Sequence, residues 1–308
     1  MKYRLHLSYL LIAIFCLLLG GCSGSSSASR KEHSGPPRDS TPKVLTPSAD
    51  GVTVYQNDLA SIDASNTSQG YVMVKYNGTN EKVKLQITCP DQSCYTYLIS
   101  DRGAYDTFPL TAGNGSYALQ VLENVAGDTY TVSLAQSINV SIEDEFLPFL
   151  YPNQYVNFHT DSKAVSKGSD LAKDTYSDLD VVQNIYNYVI KNISYDTEKA
   201  QNVSYGYVPD IDDTLSSKKG ICFDYAALMT SMLRSQNIPT KLEVGYSGDA
   251  YHAWISTYID DKGWVDDIIQ FNGDSWQIMD PTLAATNDSA AVKKYVGDGS
   301  HYVVKYTY

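Results

Sequence analysis

The 308-residue sequence predicts an all-β sandwich followed by an α+β domain. Residues 51–141 contain short runs in which apolar and polar residues alternate, and turn clusters such as Asn77-Gly78 separate them. This spacing is typical of an antiparallel sandwich of seven or eight strands. In residues 142–308 two helical patterns come first and strand-like runs follow, which is the order of an α+β domain.

The N-terminal segment predicts export. A positively charged start and an apolar run over residues 10–19 indicate a signal peptide at residues 1–21. The apolar run is too short to span a membrane comfortably. The run ends in Leu19-Gly20-Gly21-Cys22, which resembles the lipobox of bacterial lipoproteins and implies a lipid on Cys22; an ordinary secretory signal is the alternative. Residues 22–50 are rich in Ser, Gly and Pro and predict a flexible tether. We therefore expect an exported protein, lipid-anchored to the cell membrane at the surface or envelope.

Charge and motifs restrict the partners. The net charge is −12 with scattered acidic residues, which argues against a nucleic-acid partner. The sequence contains no HExxH, paired CxxC, EF-hand loop or Gly-rich phosphate loop. We therefore predict no metal and no cofactor, and contact with the membrane through the lipid anchor alone.

The cysteines differ in whether the sequence offers them a disulfide partner. Cys89 and Cys94 lie close together around Pro90-Asp91-Gln92-Ser93 and could close a small disulfide at a hairpin turn in an exported protein. That leaves Cys222 without an obvious partner. An unpaired thiol outside the cell needs either burial or a chemical role.

Cys222 begins a helical pattern. Apolar residues follow it at the spacing of one helix face, and Asn237 and Pro239 mark the end of the pattern. The stripe is Cys222, Tyr225, Ala226, Met229 and Leu233. A helix N-terminus carries positive partial charge and unpaired N–H groups, which favour the nucleophilic thiolate form of a cysteine. The alternative is a small buried core residue.

Two further residues could complete a catalytic set. His252 lies in an apolar strand, on the same face as Trp254 and close to the turn Ser247-Gly248-Asp249, so it is near a strand end. A histidine satisfied within the core is the alternative. Asp280 follows a strand and precedes Pro281, where it could accept the far N–H of a histidine or simply begin a turn.

The three segments together resemble the transglutaminase-like superfamily. Gly-Ile-Cys222 on a helix, His252-Ala-Trp on a strand and Asp280-Pro-Thr after a strand occur in that family's order, within residues 175–285. The resemblance implies a papain-like fold in which a nucleophile helix packs on an antiparallel sheet. It also implies that Cys222 is the nucleophile, His252 the base and Asp280 the residue that orients the base.

The resemblance implies acyl transfer through a thioester on peptide or amide bonds, with hydrolysis favoured over cross-linking. We expect a protein or peptide substrate, such as cell-envelope material. The backbone N–H of Cys222 is the natural oxyanion donor, and Tyr207 and Trp254 are candidates for lining the cleft. The competing hypothesis is a non-catalytic surface module, in which the sandwich binds a ligand and the second domain is an inactive scaffold.

Overall fold

The computed structural model describes residues 35–100, 102–260, 262–265 and 302–308. The chain divides into two units, Met1–Pro36 and Pro37–Tyr308, and the fold below is that of the second unit. The predicted signal peptide, Cys22 and Asp280 lie outside the described residues.

Eight strands between residues 54 and 140 form two antiparallel sheets of four strands, with the orders β1-β2-β3-β6 and β5-β4-β7-β8. Their bounds are β1 Val54–Gln56, β2 Ala60–Asp63, β3 Tyr71–Tyr76, β4 Val83–Thr88, β5 Cys94–Leu98, β6 Tyr105–Pro109, β7 Gly115–Ala126 and β8 Thr129–Val140.

The alternation of buried and less buried residues explains why these segments form strands. In β4, Val83, Leu85 and Ile87 are buried while the residues between them are half-buried, as a strand with one core face requires. The two sheets meet where the Tyr97 ring of β5 packs edge-on against Phe108 of β6, with ring centroids 4.9 Å apart. The predicted sandwich is confirmed.

The α+β part begins with helices and continues into a third sheet. The helices are α1 Lys163–Ala172, α2 Asp178–Asn192, α3 Thr197–Asn202, α4 Ile211–Ser217 and α5 Cys222–Arg234. The strands are β9 Ser194–Tyr195, β10 Lys219–Gly220, β11 Thr240–Ser247, β12 Ala250–Ile259, β13 Gly263–Val265 and β14 Tyr302–Thr307. Strands β9 and β10 form a short parallel pair, and the antiparallel sheet has the order β13-β12-β11-β14. Within the described residues, no helix combines the length and apolarity needed to cross a bilayer.

Helix α5 is the centre of this domain. Every residue from Asp224 to Arg234 is buried, because the helix packs on the sheet strands β11 and β12 and against α1 and α2. At its end the buried guanidinium of Arg234 donates to the carbonyl oxygens of Tyr151, Thr240 and Tyr308 at 2.6, 2.9 and 2.7 Å. The start at Cys222 agrees with the helix that the apolar stripe predicts.

The predicted flexible tether is wrong for residues 37–50. The Arg38 guanidinium pairs with Asp178 at 2.6 Å, and the Lys43 N–H donates to the Ser235 carbonyl at 2.8 Å. This segment therefore lies bound along the helices through its backbone groups and one ion pair. Neither kind of interaction leaves a hydrophobic periodicity in the sequence, so the sequence pattern could not reveal that this segment is bound.

The sandwich and the α+β domain form one compact unit with a shared aromatic interface. The Tyr95 ring of β5 packs edge-on against Tyr306 and Tyr308, with centroids 5.3 and 5.7 Å apart, and Tyr97 stacks on Tyr155 at 5.7 Å. Strand β5 is thereby held next to strand β14 and the segment around Tyr155.

Candidate active site

Cys222 is the first residue of α5, and Ile221 precedes the helix in an extended conformation. The first three N–H groups of the helix, from Cys222 to Asp224, have no acceptor within the helix itself. The Cys222 side chain is half-buried. Cys222 therefore lies at the positive end of a buried helix and is itself only partly buried.

A buried carboxylate organises the start of this helix. Asp224 is completely buried, and its Oδ2 accepts hydrogen bonds from the Ile221 N–H at 2.8 Å and from Lys199 Nζ at 2.7 Å. Its Oδ1 accepts from the Tyr207 hydroxyl at 2.5 Å, and Lys199 Nζ also donates to the Tyr207 oxygen at 2.6 Å. The three side chains form a closed hydrogen-bond network, which we call the Asp224 network.

Electrostatics fixes the protonation of two members of this network. Burial, followed by the hydrogen bond to Asp224, raises the pKa of Tyr207 to about 12. Burial lowers the pKa of Lys199, but its bonds to Asp224 and Tyr207 outweigh that effect and the pKa is raised overall. At neutral pH Lys199 is therefore charged and Tyr207 neutral, so the lysine balances the buried carboxylate.

Backbone pairing brings Lys199 to Asp224. Strand β9 pairs with β10, and the Asp196 N–H donates to the Gly220 carbonyl at 2.9 Å. The Asp196 side chain then caps helix α3 by accepting from the Lys199 N–H at 2.9 Å. Gly220 leaves the necessary space, because a Cβ there would lie 2.7 Å from the Cβ of Asp224.

His252 is the third residue of β12 and is half-buried, close to the end of the strand. Its ring stacks with that of Trp254 at a centroid distance of 6.2 Å, so the two residues share a face as predicted. Trp254, however, is completely buried against Tyr302 and does not line the cavity described below. The expectation that Trp254 lines the cleft is therefore wrong: it supports His252 from the core.

A β-bulge lies opposite His252. Gly245 is the cross-strand neighbour of His252, and the pairing of β11 with β14 shifts register between Val244 and Gly245. A Cβ at Gly245 would lie 2.0 Å from the Val303 carbonyl oxygen, so only glycine permits this approach. Bulges bend a strand and redirect its side chains.

Cys222 and His252 lie on the wall of one cavity of about 460 Å³. Tyr207 also lines it, where the sequence placed it, and Thr96 and Leu98 of sandwich strand β5 contribute. The remaining lining residues are Tyr155, Tyr195, Ala200, Val203, Tyr205, Gly206, Ile221, Phe223, Val244, Tyr251, Ala253, Tyr306 and Tyr308. The helix start, the sheet and the sandwich thus enclose a single space around the sulfur.

The disulfide considered between Cys89 and Cys94 is not formed, and both thiols are free. Cys94 begins β5 opposite Thr88, so it shares a sheet face with Thr88, whereas Cys89 is the next residue along the chain and points to the other face. Accordingly Cys94 is exposed and Cys89 is buried, and burial raises the pKa of Cys89 to about 11.

Sequence reasoning missed the other two members of the network. Asp224 carried a usable signal, because an acidic residue at the third helical position commonly accepts from the backbone N–H before the helix. Lys199 carried none, because its partner lies 25 residues away along the chain.

Comparison with known families agrees with this geometry. Residues 166–266 match the model of the transglutaminase-like superfamily, a stretch that contains Cys222 and His252, while Asp280 lies beyond it. Residues 166–266 therefore belong to the transglutaminase-like superfamily, and the predicted α+β papain-like fold after a sandwich is confirmed.

Individual relatives cover varying parts of the chain. A UPF0252 protein of Methanocaldococcus jannaschii is 32% identical over 98 residues, which is 28% of this chain and 28% of that relative, well under two thirds of its length. A solved structure named "Putative Cysteine Protease" from Cytophaga hutchinsonii is 15% identical and covers 69% of this chain and 78% of that one, with a TM-score of 0.33. Red sea bream transglutaminase is 14% identical over 69% of this chain and 48% of its own, with a TM-score of 0.26. The family assignment rests on the sequence match.

Proposed function

We propose that the protein is a cysteine acyl-transfer enzyme that hydrolyses peptide or amide bonds through a thioester on Cys222. One observation carries the proposal: a half-buried cysteine at a helix start and a half-buried histidine on a sheet line the same cavity. Cysteine nucleophiles act with a neighbouring base, and His252 on the wall of the same cavity is the candidate for that role.

Each step assigns a role to a named group. His252 takes the proton of the Cys222 thiol as the sulfur attacks the carbonyl carbon, and the resulting oxyanion accepts a hydrogen bond from the Cys222 N–H. The C–N bond then breaks as the His252 imidazolium gives its proton to the leaving amine. Water, deprotonated by His252, attacks the thioester and releases a carboxylic acid and the Cys222 thiol. Asp280 is proposed to accept the second ring N–H of His252 and hold the ring in place.

Solvent access supports hydrolysis over cross-linking. Tyr205 and Tyr251 line the cavity with 77% and 61% of their surface exposed, so the space around Cys222 opens to water. An amine acceptor must compete with that water for the thioester. We therefore propose a protease-like hydrolase that is anchored to the membrane through Cys22 and acts on protein or peptide material of the cell envelope.

The test is to measure turnover by variants in which one cysteine is replaced by alanine. The full chain is incubated with a mixture of peptides, and the products are identified by mass spectrometry. Cys222→Ala should lower the rate at least about 1,000-fold, as loss of a nucleophile does elsewhere. Cys94→Ala, which removes an exposed thiol outside the cavity, should leave the rate unchanged. Full activity in Cys222→Ala would refute the assignment of the nucleophile.

A further inference from the structure

The cavity beside Cys222 has walls from both domains. Thr96 and Leu98 belong to sandwich strand β5, whereas Cys222 and His252 belong to the transglutaminase-like domain. The loop that follows α3 joins these walls: a Cβ on Gly206 would lie 2.1 Å from Cδ1 of Leu98, so the loop backbone rests directly on the sandwich. The sandwich is therefore part of the site and not merely a neighbour of it.

The chemistry of the walls is aromatic and uncharged. Seven tyrosines and Phe223 contribute to the lining. Among the residues that the structure describes, the lining includes no Asp, Glu, Lys or Arg side chain, and its one histidine is His252. Such a surface gains free energy by covering apolar groups, and it offers no ion-pair partner to a charged side chain.

The rim of the cavity exposes further apolar surface on two sides. Val203 and Tyr205 on the loop after α3 are 42% and 77% exposed, and Tyr251 on β12 is 61% exposed. All three also line the cavity. Exposed apolar side chains around a concave site are typical of a ligand-binding region.

The loop wall is held in place before any ligand arrives. Tyr207 is fixed by the Asp224 network, and Gly206 has a positive φ of +81° that sets the turn against Leu98. The Tyr205 ring lies 5.7 Å from Lys84 Nζ on β4, a second contact with the sandwich. A wall with these three attachments loses little conformational entropy on binding.

We propose, on the basis of the function proposed above, that this cavity takes a polypeptide segment with a large apolar or aromatic side chain next to the scissile carbonyl. Leu98 of the sandwich is a specificity-determining residue for that side chain. A cavity of about 460 Å³ falls within the range of ligand pockets and accommodates a side chain of this size together with its backbone.

The first experiment measures which side chain the enzyme prefers beside the scissile bond. After the cleavage site of one substrate is located by mass spectrometry, peptides are made that differ at a single residue beside the scissile bond, carrying Phe, Leu, Ser, Glu or Lys. The expected kcat/KM for Phe or Leu exceeds that for Glu or Lys by about 10- to 100-fold, the range that apolar pockets achieve.

The second experiment uses matched leucines of the sandwich. Leu98 and Leu134 are both half-buried, but Leu134 lies on β8, outside the cavity lining. Leu98→Ser should reduce the preference for Phe over Ser about 5- to 10-fold, chiefly through KM, the size expected for removing part of an apolar pocket. Leu134→Ser should leave the preference unchanged. Thermal unfolding and the rate of Cys222 alkylation, both close to wild type, would show that Leu98→Ser is folded with an intact nucleophile.

The outcomes separate the two proposals. Cleavage with no preference, or with a preference for Glu or Lys, overturns the inference about the cavity and leaves the enzyme intact. Cleavage only of peptides that carry a sugar overturns it as well. Failure to cleave any peptide, together with alkylation of Cys222 that does not depend on His252, overturns both proposals.

Discussion

The chain presents two cysteines at the ends of regular elements, and their surroundings are opposite in character. Cys89 follows strand β4 in the sandwich, where it is 3% exposed and packed in the apolar core. Cys222 begins helix α5, half-buried on the wall of a cavity that it shares with His252. Both are free thiols, so the residue type does not distinguish them.

The difference shows what makes a thiol useful. Burial raises the pKa of Cys89 to about 11 despite a hydrogen bond with Ser93, so this thiol stays protonated at neutral pH. Cys222 instead lies at a helix start, on the wall of a cavity that also holds a histidine able to act as its base. We infer that Cys89 is structural and Cys222 reactive, and the following predictions test that distinction.

The largest effect is expected from removing the partners of Cys222. His252→Ala should lower kcat/KM by about 1,000-fold, because the variant lacks the group that exchanges protons with the sulfur and the leaving amine. Asp280→Ala should lower it by orders of magnitude if Asp280 orients the imidazole. The measurement is steady-state turnover on a cleaved peptide. His159→Ala is the control, since His159 is exposed and does not line the cavity; an equal loss in that variant would contradict a specific role for His252.

The next effect concerns the charge balance beneath Cys222. Lys199→Met leaves the buried Asp224 carboxylate without its lysine, and we expect the free energy of unfolding to fall by about 2–4 kcal/mol, somewhat less than for a fully buried pair because Lys199 is partly exposed. Urea denaturation measures the change. Lys173→Met breaks the exposed pair with Asp170 and should leave the free energy of unfolding close to the wild-type value, because solvent screens that pair. Similar losses in the two variants would show that the Asp224 network contributes no more than a surface ion pair.

A smaller effect is expected at alkaline pH. The folded-state pKa of Lys199 is raised, so its stabilising contribution is complete below pH 10.5 and is lost as the pH rises through the folded value. The pKa of Tyr207 is raised from 10.0 to about 12, so between these values the unfolded chain releases a proton that the folded chain retains. The contribution of each group to the free energy of unfolding therefore decreases as the pH rises above about 10.

Urea denaturation at a series of pH values tests this sign with Tyr207→Phe, which keeps the ring and removes the ionisable hydroxyl. The unfolding free energy of this variant should decline less steeply between pH 10 and 12 than that of the wild-type chain. Tyr205→Phe is the control, because Tyr205 is largely exposed. A steeper decline in Tyr207→Phe would contradict the raised pKa.

The sequence predicted those parts of the fold that depend on periodicity. Alternation along β4 and its neighbours predicted the sandwich, and the stripe from Cys222 to Leu233 predicted a helix beginning at the cysteine. The capping box at the start of α2, in which Ser177 and Asp180 exchange hydrogen bonds, also depends only on residues close together in the chain. Each of these signals is local, so nearby residues were sufficient to identify it.

The remaining features depend on contacts between distant residues. Leu98 joins the cavity because strand β5 packs against the transglutaminase-like domain, and Arg38 pairs with Asp178 across 140 positions. The alternation along the strand correctly placed Trp254 on the same face as His252. It could not show how deeply Trp254 is buried, because that depends on packing against the rest of the domain. The Lys199–Asp224 pair likewise depends on the pairing of β9 with β10.

The central claim is that the sulfur at the start of α5 is activated by His252, and selective alkylation tests it most directly. The chain is treated with iodoacetamide at pH 6, and modification of each cysteine is followed by mass spectrometry. We predict that Cys222 is modified much faster than Cys94 or Cys89, and that His252→Ala removes this advantage while His159→Ala preserves it. A Cys222 that reacts no faster than the exposed Cys94, or equally fast without His252, would contradict the account.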